Sequence, residues 1–299
     1  MPDGLCLLTV HAHPDDEASK GAGTVARYRH EGVRTVLVTC TGGEEGDILN
    51  PAMDTPEVRA GLGGVRLREL AAAAAAIGYE EVVLLGYRDS GMPDSEANRD
   101  PRSFARAPLE EAVGRLVGII RRERPQVIVT YNEDQRGYPH PDHLRVHEVS
   151  VAAFDAAGDP DAYPGTGEPH APAKLYYNVW QREQFLLRHE KFVELGLESP
   201  YVDRLQQGWL DRMPEVQPTT RIDVSDFTEA RRAGLLAHAT QIDPESPHWF
   251  GLPPHVDREI YTHDSYVLAR SRVGEELPED DLFAGVRELA GDTRERSRR

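Results

Sequence analysis

The sequence contains few cysteines, few basic residues for its acidic content, and no long apolar run. Its 299 residues include only two cysteines, Cys6 and Cys40, and both lie in apolar segments, which indicates buried thiols in a reducing cytoplasm rather than a disulfide framework. The 34 Lys and Arg residues against 51 Asp and Glu residues give a formal net charge of −17, which argues against a basic face for nucleic acid or a membrane. No apolar stretch approaches the roughly 20 residues that span a bilayer. We therefore expect a cytoplasmic protein with neither nucleic acid nor a membrane as partner, and the sequence carries no signal for an oligomeric state.

Short apolar runs in the first half of the chain predict strands that are buried on both faces of a parallel sheet. In chain order they cover residues 5–11, 35–40, 82–86 and 127–131. Helix-like segments separate them, at residues 18–30, 57–77 and 109–123. This alternation predicts an α/β fold with a Rossmann-like, mostly parallel sheet flanked by helices. Binding residues in such sheets follow the carboxyl ends of the strands, which directs attention to residues 11–17, 41–47, 86–92 and 131–143.

The second half of the chain is less regular. It holds a predicted helix, a loop rich in Pro and Gly, a further strand and a stretch of helical character, at residues 143–156, 158–173, 174–179 and 181–211. We predict a Rossmann-like core over residues 1–180 and a C-terminal portion over 181–290 that packs on the core, is less regular and lines a substrate cleft. Residues 291–299 are charged and are predicted to form a disordered tail.

Two clusters of His and Asp each follow a predicted strand. The first is the segment HAHPDDE at residues 11–17, and the second is YPHPDH at residues 138–143. Each contains a proline, which confines the preceding residue to extended backbone and makes the side chains spread around a fixed turn. Clusters of this kind at two strand ends predict a metal site.

The residue types favour zinc, because imidazole and carboxylate ligands suit Zn²⁺. Fe²⁺ is the alternative metal, since it accepts the same ligands. His13, Asp16 and His143 form a set of three ligands that leaves one position for water. His147 is the rival ligand, since it lies one helical turn beyond His143. Asp16 also has a simpler interpretation, as the N-cap of the following helix.

The neighbouring side chains predict acid–base chemistry. Asp15 is placed to take the proton of an attacking water. A carbonyl under attack becomes an oxyanion, and His140 and Tyr138 are predicted to donate hydrogen bonds to it. Asp142 is predicted to accept the second N–H of His140 and so to orient that ring.

The two clusters resemble the signatures of the LmbE-like (PIG-L) superfamily of zinc-dependent N-acetylglucosaminyl deacetylases. AHPDD at residues 12–16 and HPDH at residues 140–143 carry this resemblance. Further segments are most similar to the mycothiol S-conjugate amidases within the superfamily: SKG at 19–21, TGGEEGDILNPAMD at 41–54, DSG at 89–91, SVAAFDAAGD at 150–159, KLYY at 174–177, HATQID at 238–243, LARSR at 268–272 and LFAG at 282–285. The resemblance implies one catalytic Zn²⁺ per chain and hydrolysis of the amide bond of a small-molecule thiol conjugate. The products would be a mercapturic acid and glucosaminyl-inositol, and the role would be detoxification.

Carried over residue by residue, the resemblance implies the same roles that the residue types suggest. The ligands fall on His13, Asp16 and His143, the general base on Asp15, the transition-state stabiliser on His140 and a mobile tyrosine on Tyr138. It also implies substrate contacts that spacing alone does not predict, at Lys20, Arg66, Asp89 and Glu45.

Three of the implied substrate contacts have a structural alternative. Arg66 can be an exposed ion-pair partner in a helix, which contributes little to stability. Glu45 can belong to a solvated acidic loop together with Glu44 and Asp47. Lys20 distinguishes the amidases from the deacetylases of N-acetylglucosaminyl-inositol, which typically lack this lysine. Its alternative is a surface lysine whose aliphatic side chain lies along helix one.

Two rival functions follow. One is deacetylation of N-acetylglucosaminyl-inositol in mycothiol biosynthesis, or of a related natural-product amide. The other is a non-catalytic metal- or nucleotide-binding module, although the turn after the first strand reads HAHPDD rather than the G-x-G-x-x-G that cradles a pyrophosphate. The aromatic residues of the C-terminal portion either line the cleft or belong to the core: Trp209, Trp249, Phe250 and Tyr261.

Overall fold

A computed structural model describes residues 4–135, 138–213 and 215–287. Its strands form one seven-stranded sheet in the order β3-β2-β1-β4-β5-β7-β6. The strands are β1 (Cys6–His11), β2 (Arg34–Thr41), β3 (Glu81–Tyr87), β4 (Val127–Tyr131), β5 (Lys174–Val179), β6 (Thr220–Asp223) and β7 (His263–Ser271). Strands β1 to β5 pair in parallel, whereas β7 is antiparallel to both β5 and β6. The predicted Rossmann-like, mostly parallel sheet is therefore confirmed.

The helices of the described residues lie between and after these strands. They are α1 (Asp16–Ser19), α2 (Ala22–His30), α3 (Pro56–Ala60), α4 (Leu62–Ile77), α5 (Leu109–Glu123), α6 (Pro141–Ala156), α7 (Arg182–Glu194), α8 (Val202–Gln206), α9 (Trp209–Arg212), α10 (Thr228–Ala237), α11 (Pro247–Phe250) and α12 (Pro254–Ile260). None of them is long and apolar enough to cross a lipid bilayer.

The continuous apolar runs of the strands supply two separate cores. Successive side chains of a strand point to opposite faces of the sheet. Leu8 and Val10 of β1 therefore pack in one cluster with residues of α5 and α6. Leu7, from the same strand, packs in a second cluster with residues of α2, α4 and α10. Helices cover both faces of the sheet, which explains why every residue of β1 and β4 is buried.

Two predicted helices are each broken into two. The segment 18–30 is interrupted at Gly21, which has a left-handed backbone with φ 86° and where an added Cβ would lie 2.8 Å from the Tyr266 hydroxyl oxygen. The segment 57–77 is interrupted at Gly61, which ends α3 and precedes α4. Helix α6 begins at Pro141 rather than at His143, because the His140 side chain caps it.

The C-terminal part of the chain continues the sheet through β6 and β7. Lys174 of β5 is fully buried, and its ammonium group lies 2.5 Å from the carboxylate of Glu279, which also accepts from the Tyr176 hydroxyl. A buried charge needs such partners. The division at residue 180 stays a prediction, and the predicted tail at 291–299 lies outside the described residues.

Candidate metal centre and active-site cavity

The carboxyl ends of four neighbouring strands meet at one edge of the sheet. The order β3-β2-β1-β4 brings together the loops that follow these strands, and the chain order reverses between β1 and β4. Ligand sites of open α/β sheets form at this reversal. His13 follows β1, Asp16 opens α1, and His143 lies in the first turn of α6, after β4.

The three predicted metal ligands lie together in this loop cluster. Asp16 Oδ2 is 3.5 Å from His13 Nδ1 and 3.5 Å from His143 Nε2. The candidate ligand atoms of the three residues lie within 4.8 Å of one another, and all three residues are buried. Two imidazole nitrogens and one carboxylate oxygen in such proximity are a ligand set for zinc or a similar transition metal.

The protonation and hydrogen bonds of the two histidines fit a metal. His143 Nε2 is buried and has no hydrogen-bond partner among the described residues. Burial lowers the pKa of His143, so the ring is neutral and this nitrogen can offer a lone pair. His13 turns Nδ1 toward Asp16, and its Nε2 lies 3.2 Å from Asp142 Oδ2. A carboxylate on the second ring nitrogen is the usual partner of a metal-binding histidine.

The electrostatic field around His13 is strongly negative. Burial opposes a positive charge on this ring, but hydrogen bonds with Asp142, Asp16 and Asp89 outweigh it and hold the pKa of His13 well above its usual value near 6.5. The same carboxylates would stabilise a metal cation. A second set of possible metal ligands is formed by His13, Asp89 and His140, on the other side of the His13 ring. On that side, His13 Nε2 is already 3.2 Å from Asp142 Oδ2.

The rival ligand His147 does not join the cluster. Its Nδ1 lies 2.9 Å from the carbonyl oxygen of Tyr131, and its Nε2 is 4.0 Å from a carboxylate oxygen of Glu133. The geometry therefore favours His143 over His147 as the third ligand.

Asp15 occupies an unusual backbone position beside the cluster. Its φ of 108° is rare for a residue other than glycine. The backbone N–H of Asp15 donates to Glu17 Oε2 at 3.0 Å, and Arg66 Nη2 donates to Asp15 Oδ2 at 2.9 Å. Burial raises the pKa of Asp15, the Arg66 charge opposes this, and the adjacent Asp16 adds to it. A raised carboxyl pKa suits a general base, because it brings the group closer to the operating pH.

A buried Glu17–His238 pair that sequence spacing does not predict supports this turn. His238 Nε2 lies 2.5 Å from Glu17 Oε1, and neither side chain is exposed to solvent. Glu17 and His238 fall within the segments HAHPDDE and HATQID. The two residues are 221 positions apart, so sequence spacing gave no reason to pair them.

The loop before α6 places His140 and Tyr138 over the cluster. His140 Nδ1 accepts the backbone N–H of Asp142 at 3.2 Å, which leaves Nε2 to carry the ring proton. Burial and the charge of His13 lower the pKa of His140 to about 4, so the ring is a neutral donor. The Tyr138 ring is 55% exposed and stacks on the His140 ring with centroids 5.9 Å apart.

The predicted contact between the Asp142 carboxylate and His140 is not formed. One oxygen of Asp142 accepts from the Ser90 hydroxyl, and the other accepts from the Ser90 N–H at 3.0 Å and from His13 Nε2. The carboxylate points into the protein because Asp142 sits one residue inside the helix and is fully buried. Asp142 therefore contacts His140 through its backbone and orients His13 through its side chain.

Arg66 is buried rather than exposed, so its interpretation as a surface ion-pair partner is wrong. Only 3% of the residue is accessible. Its guanidinium donates to the carbonyl oxygens of Pro14 and Gly43 and to the carboxylate of Asp15. Arg66 thus ties the loop after β2 to the turn that carries Asp15. Its Nε is buried without a hydrogen-bond partner among the described residues.

The acidic loop after β2 is hydrogen-bonded to the loop after β3. Asp89 Oδ2 accepts the N–H of Glu45 at 3.3 Å, and Glu44 Oε1 accepts the N–H of Asp89 at 3.1 Å. Burial opposes ionisation of Asp89, but the hydrogen bond and the charge of His13 lower its pKa far below the usual range. Glu45 is exposed and pairs with Arg88 at 2.5 Å.

Lys20 lies inside the site rather than on the surface. Its ammonium group pairs with Asp16 Oδ1, and only 17% of the side chain is exposed. It also lies 5.6 Å from the ring centre of Tyr131 and 5.8 Å from that of Trp180. The lysine therefore stands between the metal cluster and an aromatic wall.

These residues line a cavity of about 710 Å³. Of the predicted site residues, the cavity is lined by His13, Asp15, Asp16, Lys20, Glu45, Arg66, Asp89, Tyr138, His140 and His143. The opposite part is lined by side chains from after β5, among them Trp180, Arg204, Trp209, His248 and Trp249. Trp209 and Trp249 thus line the cleft, Tyr261 lines a smaller branch of it, and Phe250 packs against the core.

Comparison with known proteins places the chain in a family. The model of the GlcNAc-PI de-N-acetylase family, PIG-L, matches residues 8–154. A mycothiol S-conjugate amidase of Streptomyces coelicolor is 43% identical over 97% of this chain and 100% of its own length. A 1D-myo-inositol 2-acetamido-2-deoxy-alpha-D-glucopyranoside deacetylase of Streptomyces avermitilis is 42% identical over 96% of this chain and 98% of its own.

A solved structure shows the same fold. The N,N'-diacetylchitobiose deacetylase from Pyrococcus horikoshii superposes with a TM-score of 0.60 at 16% identity, covering 89% of this chain and 84% of that one. Sequence similarity over nearly the full length, together with the shared fold and the clustered His and Asp residues, leads to one assignment. The chain belongs to the PIG-L family and is a hydrolase that acts on amide bonds.

Proposed function

We propose that the protein hydrolyses the amide bond of mycothiol S-conjugates and releases a mercapturic acid and glucosaminyl-inositol. The observation that carries this proposal is the extent of the cavity, which continues from the candidate metal ligands past Lys20 to Trp180, Trp209 and Trp249. Its volume is in the range of pockets for drug-sized ligands, roughly 300–1,000 Å³. An S-substituted N-acetylcysteine is longer than an acetyl group and would use this part of the cavity.

Overall similarity does not decide between amidase and deacetylase, because the two Streptomyces relatives are almost equally similar to the chain. Lys20 and the aromatic wall supply the distinction. A lysine between the metal cluster and the wall can meet the polar cysteinyl part of a conjugate. The deacetylation of N-acetylglucosaminyl-inositol is the alternative function, since it needs only the metal end of the cavity.

We assign the metal to His13, Asp16 and His143, as zinc, with Fe²⁺ suited to the same ligands. A zinc ion held there would polarise the amide carbonyl and lower the pKa of a water at its open position. Asp15 would accept the proton of the attacking water. His140 Nε2–H and the Tyr138 hydroxyl would donate hydrogen bonds to the oxygen that becomes negatively charged.

The leaving amine of glucosamine needs a proton. The low pKa of His140 leaves that ring neutral, so Asp15 is the better acid: having taken a proton from water, it would return it to the amine nitrogen as the C–N bond breaks. Asp89 and Glu45 would accept hydrogen bonds from sugar hydroxyls, and Arg66, which also lines the cavity, would donate to one. We propose the cytoplasm as the site of this reaction, in agreement with two buried free thiols.

A side-by-side assay tests the proposal. Zinc-loaded protein is given the bimane conjugate of mycothiol and N-acetylglucosaminyl-inositol, and kcat/KM is measured for each, because its ratio reports differential transition-state binding. We expect the conjugate to be preferred, and Lys20→Met to reduce that preference. A preference for the acetylated sugar would assign the chain to deacetylation. Tight metal binding without hydrolysis of either amide would favour a metal-binding module.

A further inference from the structure

A branch of the cavity lies beyond Lys20 and contains none of the candidate metal ligands. It has a volume of about 80 Å³ and shares Lys20, Trp180, His248 and Trp249 with the main cavity. Arg231 lines only the branch. The branch therefore extends the side of the cavity that would receive the acyl half of a conjugate.

Arg231 is a cation that has no counter-ion within the part of the chain that the structure describes. Its guanidinium carbon lies 4.3 Å from the ring centre of Tyr261 and 5.7 Å from that of Trp249. Among the described residues, its buried Nε has no hydrogen-bond partner, and no carboxylate forms an ion pair with the guanidinium. A buried N–H that lacks a partner loses free energy unless a ligand supplies an acceptor.

Arg204 adds a second unpaired cation on the same side of the main cavity. Its guanidinium carbon lies 5.6 Å from the ring centre of Trp209, and no carboxylate of the described residues pairs with it. Arg188 is different, because Asp257 neutralises it. The carboxylate that lines the branch, Asp264, is also engaged: one oxygen accepts from Thr24, and the other from the Tyr261 hydroxyl.

The charged groups that act on His248 are arginines, in a protein with a formal net charge of −17. Burial lowers the pKa of His248 to about 4, and the charges of Arg204, Arg188 and Arg231 contribute to the shift. A positive charge on His248 is thus disfavoured by its cationic neighbours, and the ring remains a neutral, aromatic part of the wall.

We propose that this region, formed by Arg231, Arg204 and the tryptophans beside them, binds S-substituents that are both aromatic and negatively charged. The inference rests on the proposed function and specifies its substrate class. An aromatic group can stack on Trp180 or Trp249, and an anion on it can accept charge-assisted hydrogen bonds from a guanidinium. Because the guanidiniums are already placed on aromatic faces, little side-chain entropy is lost when the anion binds.

The test uses two conjugates of equal size on the mycothiol sulfur, 4-carboxybenzyl and 4-carbamoylbenzyl. We expect the wild-type protein to prefer the carboxylate by about tenfold in kcat/KM, in line with a hydrogen bond to a charged group. In Arg231→Met this ratio should fall several-fold, since only Arg204 remains to bind the anion. Arg232→Met is the matched control, because Arg232 is the next residue, stacks on Phe250 with its guanidinium carbon 4.5 Å from the ring centre, and does not line the cavity.

A wild-type ratio near one would overturn the inference, as would an equal change of the ratio in Arg231→Met and Arg232→Met. If Arg231→Met does not fold, judged by its thermal unfolding, Arg204→Met provides the same comparison. The two free mercapturates, carboxybenzyl and carbamoylbenzyl, are also measured as inhibitors of whichever amide the enzyme cleaves. If only N-acetylglucosaminyl-inositol is cleaved, the proposed function fails, while a stronger inhibition by the carboxylate would still support the anion-binding region.

Discussion

The two ends of the cavity are built in different ways. The metal end comes from loops at the carboxyl ends of β1 to β4, and its candidate ligands are buried and held close to neighbouring carboxylates. The far end comes from the chain after β5, and its aromatic and Arg side chains are half-buried or exposed. The comparison shows that the candidate ligands are positioned by the parallel sheet, and we expect substrate preference to depend on the less regular segments added to it.

The two ends also differ in charge. Carboxylates surround His13 at the metal end, where they would hold a cation. At the far end two guanidiniums lack carboxylate partners among the described residues. A conjugate that spans the cavity would therefore place its polyol and amide in the negative region and its S-substituent in the positive one. Substitutions at each end should change different kinetic quantities.

The largest effect is expected at Asp15. Asp15→Asn keeps the size of the side chain but removes the base, so kcat should fall about 10²–10⁴-fold while one zinc per chain remains bound. Initial rates measure kcat, and metal analysis of the purified protein measures the zinc content per chain. Asp47→Asn is the control, because Asp47 also lines the cavity and is exposed. A near wild-type rate in Asp15→Asn would rule out Asp15 as the base.

The next effect concerns metal affinity. Asp142→Asn weakens the acceptor for His13 Nε2, and loss of such a partner typically costs about 10–100-fold in affinity. Competition with a fluorescent chelator measures it. His147→Ala should leave the affinity within a few-fold of the wild type, since His147 bonds the Tyr131 carbonyl outside the cluster. The opposite ranking would make His147 the third ligand.

Much of the metal end can be predicted from the sequence because its residues are tied to strand ends. Buried parallel strands appear as uninterrupted apolar runs, and the predicted strands at 127–131 and 174–179 have the bounds of β4 and β5. His13 and His143 each follow a strand, and β1 pairs with β4. Their proximity therefore follows from the topology of the sheet.

Other contacts depend on side-chain direction or on long-range packing. The sequence places Asp142 beside His140, but the helix cap turns its carboxylate toward Ser90 and His13 instead. Glu17 meets His238 only because α10 packs against α1 and α4. No periodicity or spacing encodes such a pair, and the same holds for the arginines at the far end.

A smaller effect is expected at the aromatic wall. Trp180→Ala removes a 39% exposed ring from the acyl side, so kcat/KM for the bimane conjugate should fall roughly tenfold, the order of one aromatic contact with its buried area. The kcat/KM for N-acetylglucosaminyl-inositol should change less than twofold if that substrate occupies only the metal end. Leu49→Ala is the control, because Leu49 is exposed and lines the cavity beside Asp47. Equal losses on both substrates would contradict a division of the cavity into two ends.

The smallest effect concerns the buried Glu17–His238 pair, which supports the turn that carries Asp15. Burial opposes a charge on His238, but Glu17 outweighs it and raises the pKa of His238 above its usual value near 6.5. A group whose pKa is raised on folding stabilises the protein below its unfolded pKa, and this contribution is lost as the pH rises through the folded pKa. The free energy of unfolding of the metal-free protein should therefore decrease from pH 6 to pH 9.

Glu17→Gln should reduce this pH dependence, because the neutral amide does not favour the protonated ring. Urea unfolding at several pH values measures the slope in both proteins. Glu31→Gln is the control, since Glu31 pairs with Arg27 and Arg287, away from His238. At the far end, by contrast, His248 is held neutral by burial and by its cationic neighbours. An unchanged slope in Glu17→Gln would mean that the pH dependence comes from other groups, and that the support beneath Asp15 does not depend on a charged His238.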